Sequence, residues 1–306
     1  MIPDTATYME TLFKGIKVRT AEPMKHHTSF RIGGPARIMV MPENREEVFQ
    51  ILEICRAEDL DFTVLGGGTN ILVNDAGLTD VVINLCDLKQ TVAIIELDSE
   101  RVRLDIPAGN SLASVLRLCI QKGLEGAEFA AGIPGTVGGA VMMNAGTSSG
   151  TISDILDSIE VTDDRTGNTR TARKDLDFSY RRLACTNGIV TGVSLKLSKG
   201  DGKAVKKRIY SNYMKKKTTQ PLLQKSAGCF FKNPADGKTA GELIDLCNLK
   251  GKRIGDAVVS SLHANFILNA QNATCRDIVR LGDIIKNEVF KTFSVELKPE
   301  VIIKNE

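Results

Sequence analysis

The alternation of apolar and polar positions predicts three amphipathic helices. In each of them, apolar side chains recur three and four residues apart, as they do along one face of an α-helix. A residue with a capping side chain precedes each stripe: Asn44, Asn110 or Ser111, and Thr274. Glu47 is placed to form a capping box with Asn44. The stripes are Val48, Ile51, Leu52 and Cys55; Leu112, Val115, Leu116, Cys119 and Ile120; and Ile278, Leu281, Ile284, Ile285 and Val289.

Short β-prone runs bounded by turn residues predict the strands. Residues 92–96 and 102–106 are expected to form a hairpin. Residues 159–162 and 189–197 are expected to be antiparallel strands, with a turn at residues 165–168. Further strands are predicted at residues 30–40 (a pair interrupted by glycine), 62–65, 81–85, 257–260, 265–268 and 295–303, and a further helix at residues 241–247. This mixture of elements indicates an α+β protein.

Changes along the chain predict its division into segments. Near residue 86 the alternation of strand and helix gives way to paired strands, which indicates a boundary there. Residues 203–217 carry many charges and are expected to form a linking helix. The predicted organisation is a first subdomain at residues 1–86, a second at 87–202, the linking helix at 203–217, and a small α+β domain at 218–298, with a tail at 299–306 that can return to the first subdomain.

The composition is that of an ordinary globular protein. Of 306 residues, 42% are hydrophobic and 25% are charged, and a net charge of only +3 is not the footprint of a nucleic-acid-binding protein. Neither a signal peptide nor a membrane-spanning segment is recognisable, so we expect a cytoplasmic protein that does not insert into membranes. Seven scattered cysteines without a Cys-x-x-Cys pair indicate reduced thiols, and only three histidines argue against a metal centre.

Two glycine-rich segments are candidate anion sites. Residues 132–146 contain five glycines and no charge, which fits a buried loop whose backbone N–H groups face a pyrophosphate. A tight structural turn between two buried elements is the alternative. The second segment, Gly66-Gly67-Gly68-Thr69-Asn70, follows the strand predicted at residues 62–65. It lacks the lysine of a P-loop and the spacing of a dinucleotide-binding Gly-x-Gly-x-x-Gly motif.

Two such segments on a mixed sheet suggest a ligand with a pyrophosphate between two large ends, as in flavin adenine dinucleotide (FAD). With further motifs they occur in one order: His27-Thr28-Ser29-Phe30-Arg31, residues 66–72, residues 132–146, Tyr180-Arg181, residues 226–234, and Lys298-Pro299-Glu300-Val301. Together these motifs resemble the UDP-N-acetylenolpyruvoylglucosamine reductase (MurB) family over nearly the whole chain. The resemblance implies an FAD-binding fold of the PCMH/vanillyl-alcohol-oxidase type, in which two FAD-binding subdomains accompany a small α+β substrate-binding domain.

The resemblance also implies the cofactor, FAD, with NADPH as the reductant. We expect the FAD to be bound non-covalently, while His26 and His27 leave covalent attachment open. The expected FAD-binding residues are Gly66, Gly67, Gly68, Thr69, Asn70, Gly132, Pro134, Gly135, Thr136, Gly138, Gly139, Asn144, Ala145 and Gly146. Backbone dipoles of the two segments would hold the pyrophosphate, which accounts for the absence of charged side chains.

The reaction implied is the reduction of UDP-N-acetylglucosamine enolpyruvate to UDP-N-acetylmuramate for peptidoglycan. Hydride from N5 of the reduced flavin adds to the vinyl carbon, and an enolate develops at the substrate carboxylate. By resemblance, Arg181 and Glu300 flank this carboxylate, and Cys229 donates the proton. Glu300 fits that place only when it is protonated or shares a proton, since an ionised carboxylate would repel the enolate. Without the resemblance, Arg181 would be interpreted as part of a surface ion pair and Glu300 as a strand-end charge.

Cys229 departs from the family pattern, in which serine is the usual proton donor. A thiol with a reference pKa of about 8.5 is mostly protonated at neutral pH and can still act as an acid. For the substrate, Lys217 is a candidate contact to the diphosphate, Asn233 to the sugar nucleotide, and Tyr180 for packing. Residues 182–193 run quickly into a strand without the tyrosine-bearing loop of some members, so the chain resembles the shorter, second type.

Two other functions are compatible with these motifs. One is an FAD-dependent sugar or alcohol oxidase on the same fold, and the other is a non-catalytic, sugar-nucleotide-binding flavoprotein. The joint presence of Cys229, Arg181 and Glu300 favours the reductase over both. The expected partners are UDP-N-acetylglucosamine enolpyruvate and NADPH, and a monomer is expected.

Overall fold

The structure is a computed structural model that describes residues 5–184, 188–235 and 237–304. The chain forms two compact units. The first unit comprises Met1–Thr20, Ile38–Gly67 and Asp80–Lys215, and the second comprises Ala21–Arg37, Gly68–Thr79 and Lys216–Glu306. The subdomain boundary predicted near residue 86 falls inside the first unit and stays a prediction.

The described residues contain eight α-helices. They are α1 (Thr5–Leu12), α2 (Arg45–Ala57), α3 (Leu112–Lys122), α4 (Val137–Met142), α5 (Ile152–Ile155), α6 (Gly202–Thr219), α7 (Ala240–Leu246) and α8 (Cys275–Phe293). Helices α6 and α7 confirm the helices predicted at residues 203–217 and 241–247.

The three amphipathic helices are confirmed as α2, α3 and α8. Asn44, Ser111 and Thr274 are their N-caps, and each side chain accepts a hydrogen bond from the backbone N–H three residues further on. The predicted apolar stripes are buried, except that Ile120 and Ile284 are half-buried. These helices therefore form where a local cap and an apolar face coincide.

The described residues also contain nineteen strands. They are β1 (Lys17–Pro23), β2 (Pro35–Met41), β3 (Phe62–Leu65), β4 (Ile71–Val73), β5 (Leu78–Asn84), β6 (Ala93–Glu96), β7 (Arg101–Pro107), β8 (Leu124–Glu125), β9 (Gly146–Thr147), β10 (Gly150–Thr151), β11 (Leu156–Asp163), β12 (Gly167–Ala172), β13 (Phe178–Ser179), β14 (Arg182–Leu183), β15 (Ile189–Lys199), β16 (Arg253–Ile254), β17 (Ala257–Val259), β18 (Ile267–Asn269) and β19 (Ile302–Lys304).

Two larger sheets organise these strands. One has four strands in the order β1-β2-β5-β3, with β3 and β5 parallel. The other has six strands in the order β12-β11-β15-β7-β6, with β8 beside β15, and its recorded pairings are antiparallel. The second unit contains the three-stranded sheet β16-β17-β18 and the parallel pair β4 and β19. The predicted hairpin β6-β7 and the antiparallel pair β11 and β15 are confirmed.

Three apolar cores stabilise the units. In the first unit, one core joins α1 and α2 to the four-stranded sheet, and another joins α3 to the six-stranded sheet. In the second unit, α7 and α8 pack with Phe230 and Phe231 into a single core. The segment that carries the predicted proton donor, Cys229, is thus anchored by two buried aromatic side chains directly after it.

Two strand predictions are wrong in extent. In residues 30–40 only β2 is a strand. The backbone groups of Gly33 and Gly34 form hydrogen bonds with Met24, Lys25 and Asn74, and these bonds do not continue a strand ladder. In residues 295–303 only the last two residues belong to a strand, β19. Pro299 has no N–H for a ladder, and the residues on either side of it pair with residues 230–232 through two backbone hydrogen bonds.

The glycine-rich segment at residues 132–146 is not loop throughout. Its middle forms the short helix α4, which begins after Thr136, whose side-chain oxygen accepts a hydrogen bond from the N–H of Gly139 at 3.3 Å. Val137 and Val141 of α4 are fully buried. Burial of these two side chains therefore stabilises a helix that glycine by itself disfavours.

None of the helices in the described part of the chain is long and apolar enough to cross a lipid bilayer. Six cysteines are free thiols, and three of them, Cys55, Cys119 and Cys275, are buried. The seventh, Cys185, lies outside the described residues, as do residues 186 and 187 of the segment 182–193, in which no tyrosine-bearing loop is expected.

Candidate active site and cofactor cradle

The two glycine-rich segments meet in the first unit. A Cβ atom on Gly67 would lie 2.9 Å from Cα of Gly135, and a Cβ atom on Gly66 would lie 2.6 Å from Oγ1 of Thr136. Both separations are shorter than a side chain tolerates, so glycine permits the approach of Gly67 to the backbone of Gly135 and of Gly66 to the side chain of Thr136. We call Gly66, Gly67, Gly135 and Thr136 the cradle.

Backbone donors are available at the cradle. The N–H groups of Gly67, Gly135 and Thr136 donate no hydrogen bond to any residue that the structure describes. Successive backbone N–H groups without a protein partner are the arrangement that binds phosphate anions. The residues present therefore fit the pyrophosphate of a dinucleotide cofactor, held by neutral donors rather than by charged side chains.

Cys86 contacts the cradle through its thiol. The thiol donates a hydrogen bond to the carbonyl oxygen of Gly66 at 3.2 Å, while the N–H of Cys86 donates to the side chain of Asn84 at 2.9 Å. In a trans peptide group the C=O and the following N–H point in opposite directions, so this bond turns the N–H of Gly67 away from Cys86. Burial raises the pKa of the Cys86 thiol, which keeps the donor protonated.

Replacement of Cys86 by alanine should weaken FAD binding. Loss of one hydrogen bond, about 1 kcal/mol, corresponds to a rise in the FAD dissociation constant of about fivefold. Cys86→Ser should retain most of the affinity, because a hydroxyl can donate to the same carbonyl. Fluorescence titration of the apoprotein with FAD measures this, with Cys55→Ala, a buried cysteine of the same unit, as the control. Equal affinities for Cys86→Ala and wild type would contradict the prediction.

The remaining residues of the segment Gly66 to Asn70 lie in the second unit. The carbonyl oxygen of Gly68 accepts a hydrogen bond from the N–H of Ser29 at 2.9 Å, and Gly68 adopts φ +62° against the backbone of His27. Asn70 donates through Nδ2 to the carbonyl oxygen of Glu300 at 3.1 Å. The predicted FAD-binding residue Asn70 is thus in direct contact with the predicted catalytic residue Glu300.

Tyr180 and Arg181 form the two-residue turn between β13 and β14. Arg181 adopts φ +57°, in the left-handed region that non-glycine residues rarely occupy, which makes the turn a place of backbone strain. Its guanidinium carbon lies 5.2 Å from the centre of the Tyr180 ring. Nδ2 of Asn144 donates to the carbonyl oxygen of Ser179 at 3.2 Å. The glycine-rich segment therefore holds the turn that presents Arg181.

Cys229 and Glu300 are brought together within the second unit. The N–H of Glu300 donates to the carbonyl oxygen of Phe230 at 2.8 Å, and Phe231 forms an isolated β-bridge with Pro299. Cys229 is half-buried and follows Gly228, which has φ +80°. The backbone pairing therefore sets the thiol and the carboxyl group on adjacent segments, whereas Arg181 belongs to the first unit.

The other predicted residues lie as follows. Lys217 is exposed near the end of α6, and Asn233 is exposed, with its side-chain oxygen accepting a hydrogen bond from the N–H of Ala240 at the start of α7 at 3.1 Å. The rest of the predicted FAD-binding set follows residues 132–146: Gly132 and Pro134 before the cradle, Gly138 and Gly139 in α4, Ala145 after α4, and Gly146 in β9. All these roles stay predictions.

Sequence reasoning missed two residues at this site, Cys86 and Asn265. Asn265 is only 2% exposed, and its side chain bonds twice to Phe231. Its sequence signal is a polar residue at the start of an apolar run, since a buried polar side chain must find partners. Cys86 has no comparable signal, because its bond to Gly66 joins residues twenty positions apart.

Comparison with known proteins matches two parts of the chain to family models. Residues 36–173 match the FAD binding domain, and residues 220–304 match the C-terminal domain of UDP-N-acetylenolpyruvoylglucosamine reductase. The chain is 43% identical to the UDP-N-acetylenolpyruvoylglucosamine reductase of Desulfosudis oleivorans over 97% of each chain. It is 40% identical to that of Clostridium tetani, over 94% of this chain and 92% of the relative.

A solved structure is also similar. The UDP-N-acetylenolpyruvylglucosamine reductase from Thermus caldophilus superposes with a TM-score of 0.79 at 33% identity, over 94% of this chain and 98% of that chain. The match to the FAD-binding model includes the whole cradle, and it defines the class of protein as an FAD-binding oxidoreductase. The chain belongs to the UDP-N-acetylenolpyruvoylglucosamine reductase family. The predicted family, fold class, enzyme class and FAD cofactor are thereby confirmed.

Proposed function

We propose that the chain catalyses the NADPH-dependent reduction of UDP-N-acetylglucosamine enolpyruvate to UDP-N-acetylmuramate, a step of peptidoglycan precursor synthesis. The observation that carries the proposal is the 2.8 Å hydrogen bond from the N–H of Glu300 to the carbonyl of Phe230. It holds a carboxyl group beside the segment of the Cys229 thiol, as the addition of a proton next to a substrate carboxylate requires. A cytoplasmic location is part of the same proposal.

Cys229 is the proposed proton donor. FAD held by the cradle and reduced by NADPH would supply the hydride for the terminal vinyl carbon. The thiol of Cys229 gives its proton to the carbon next to the carboxylate and regains a proton from solvent. The substrate thus gains one hydride and one proton, and its carbon–carbon double bond becomes single.

Arg181 and Glu300 are the proposed stabilisers of the negative charge that develops on the substrate carboxylate. Arg181 is permanently charged and offers a planar fork of donors that matches two carboxylate oxygens. Its left-handed backbone conformation in the β13–β14 turn supports a functional role, since strain of this kind persists where the surroundings impose it. Glu300 contributes as a hydrogen-bond donor while it carries a proton.

The remaining assignments belong to the same proposal. Residues 66–70 and 132–146 bind FAD, within subdomains at residues 1–86 and 87–202. Residues 218–298 bind the substrate, with Asn233 toward the sugar nucleotide. From outside this range, Lys217 contacts the diphosphate and Tyr180 packs on the substrate. The donors of the cradle support the first of these assignments, since Gly67, Gly135 and Thr136 are all predicted FAD-binding residues.

The test is the oxidation of NADPH by the purified, FAD-loaded protein without oxygen. We expect oxidation only when UDP-N-acetylglucosamine enolpyruvate is present, with one product molecule formed for each NADPH consumed. Turnover of a sugar or alcohol with oxygen, in the absence of NADPH, would favour a sugar or alcohol oxidase. Absence of turnover with either acceptor, in a protein that binds FAD and the sugar nucleotide, would favour a non-catalytic binding protein.

A further inference from the structure

Asn265 holds the segment that follows Cys229. It is a buried residue two positions before β18 begins, and its side chain bonds to both backbone groups of Phe231. Oδ1 accepts from the N–H of Phe231 at 2.9 Å, and Nδ2 donates to the carbonyl oxygen of Phe231 at 2.8 Å. The amide side chain therefore substitutes for a neighbouring strand, with both of its polar ends satisfied by a single residue.

The backbone of Asn265 reaches closer to Cys229. Its carbonyl oxygen accepts from the N–H of Phe230 at 2.7 Å. That N–H belongs to the peptide group that joins Cys229 to Phe230, so the bond fixes the plane on the C-terminal side of Cys229. On the N-terminal side, Gly228 has φ +80°, a conformation that glycine adopts readily. The direction in which the Cys229 side chain leaves the backbone is thus fixed by the backbone before and after this residue.

The same contacts connect Cys229 to Glu300. The peptide group between Phe230 and Phe231 is held at both of its edges, by Oδ1 of Asn265 at its N–H and by the N–H of Glu300 at its carbonyl oxygen. Because a peptide group is rigid, a shift of the Asn265 side chain moves this plane relative to Glu300. Asn265, which is not a predicted catalytic residue, therefore determines how Cys229 and Glu300 are placed relative to each other.

Asn265 is itself fixed in position. Its N–H donates to Nδ1 of His263 at 3.2 Å, and the His263 ring packs edge to face on Phe266 with 4.9 Å between ring centres. Burial, together with the charge of Lys250, lowers the pKa of His263, so the ring is neutral near pH 7 and Nδ1 can accept. The loop that carries Asn265 is therefore held by a side chain of its own segment.

The geometry points to Asn265 as a positioning residue for proton donation, since it fixes the backbone of Cys229 relative to Glu300. This inference rests on the proposed function, in which Cys229 donates a proton to the substrate carbon. It assigns Asn265 no contact with substrate or cofactor. Its effect is expected on the step that uses Cys229, and not on the reduction of the flavin by NADPH.

Asn265→Asp is the most informative variant, and Asn269→Asp is its matched control. Both asparagines are buried in the second unit. Nδ2 of Asn269 donates to the carbonyl oxygen of Phe30 at 2.9 Å, and its Oδ1 accepts from the N–H of Ala273 at 2.9 Å, away from residues 229–231. Each substitution thus removes one amide donor to a backbone carbonyl and retains one acceptor, so a purely structural effect is the same for both.

The measurements are kcat and KM for NADPH-dependent reduction of the enolpyruvyl substrate, the rate of flavin reduction by NADPH, and the solvent deuterium isotope effect on kcat. For Asn265→Asp we expect kcat to fall by about thirtyfold with a larger isotope effect, since misplacement of a reacting group by about 1 Å has consequences of this order. KM and the flavin reduction rate should stay near the wild-type values. Asn269→Asp should keep kcat within about threefold.

A second variant covers the case in which a buried aspartate prevents folding. Asn265→Ala leaves space in which water can bond to the backbone of Phe231. Its kcat is compared with that of Asn269→Ala, once the two variants are shown to have equal unfolding midpoints. Equal losses of kcat in the paired variants, without a change in the isotope effect, would overturn the role of Asn265 while the proposed function stands. If the wild-type protein does not reduce the enolpyruvyl substrate, the proposed function fails, and this inference fails with it.

Discussion

Cys229→Ala should abolish product formation while the flavin is still reduced by NADPH. A proton donor placed in the transition state contributes a factor of about one hundred to ten thousand, so kcat for product should fall by at least about a hundredfold. Reduction of the flavin does not use the thiol and should continue at the wild-type rate. Anaerobic stopped-flow measurement of flavin bleaching by NADPH, followed by mixing with the enolpyruvyl substrate, separates the two events.

Two further variants make this result specific. Cys229→Ser should retain substantial activity, because a hydroxyl can hold and deliver a proton from the same backbone position. Cys247→Ala replaces another half-buried cysteine of the second unit and should leave product formation unchanged. If Cys229→Ala instead slowed the reduction of the flavin by NADPH, the assignment of Cys229 as the proton donor would be wrong.

Arg181→Ala should lower kcat by at least about a hundredfold, because removal of one fixed donor to a developing negative charge has an effect of this size. The loss should be larger in kcat than in KM, since the carboxylate gains charge density only as the reaction proceeds. Arg182, exposed on the next position of the same hairpin, provides the control. Arg182→Ala removes an equal charge from the same strand pair and should alter kcat by less than about threefold.

Steady-state kinetics of these two arginine variants, with the FAD content of each preparation measured, completes the test. Arg181→Lys should recover only part of the activity, because an ammonium group cannot form the two parallel hydrogen bonds of a guanidinium. If Arg181→Ala lowers kcat no more than Arg182→Ala does, Arg181 is a surface cation without a catalytic role.

Sequence patterns predicted the elements that depend on near neighbours. Helix α8 combines the cap Thr274 with an apolar stripe from Ile278 to Val289, and all these signals lie within one helix. The hairpin of β6 and β7 is similarly local. The strands predicted at residues 30–40 and 295–303 are wrong in extent because their backbone groups bond to other segments, around residues 24–25, 74 and 230–232, and not to a continuous neighbouring strand.

For the site, sequence motifs predicted the candidate residues, and the structure shows which of their segments are joined by hydrogen bonds. Cys229 and Glu300 were each singled out from a motif, but they are seventy-one positions apart, and only folding places the N–H of Glu300 on the carbonyl of Phe230. Their catalytic roles remain predictions. The helix inside residues 132–146 was missed, because glycine-rich sequence disfavours helix and the burial of Val137 and Val141 is a tertiary effect.

The sequence by itself determined what short-range chemistry controls: the capped helices, the uncharged glycine-rich segments, and the ordered motifs that indicated the family and its FAD cofactor. Tertiary structure alone decided which backbone groups meet. It brings Gly67 against Gly135, bonds Cys86 to Gly66, and clamps Phe231 with Asn265, thirty-four positions away. The physical reason is that a hydrogen bond or a close backbone approach depends on distances of a few ångströms between segments, and no periodicity along the chain encodes which distant segment will supply the partner.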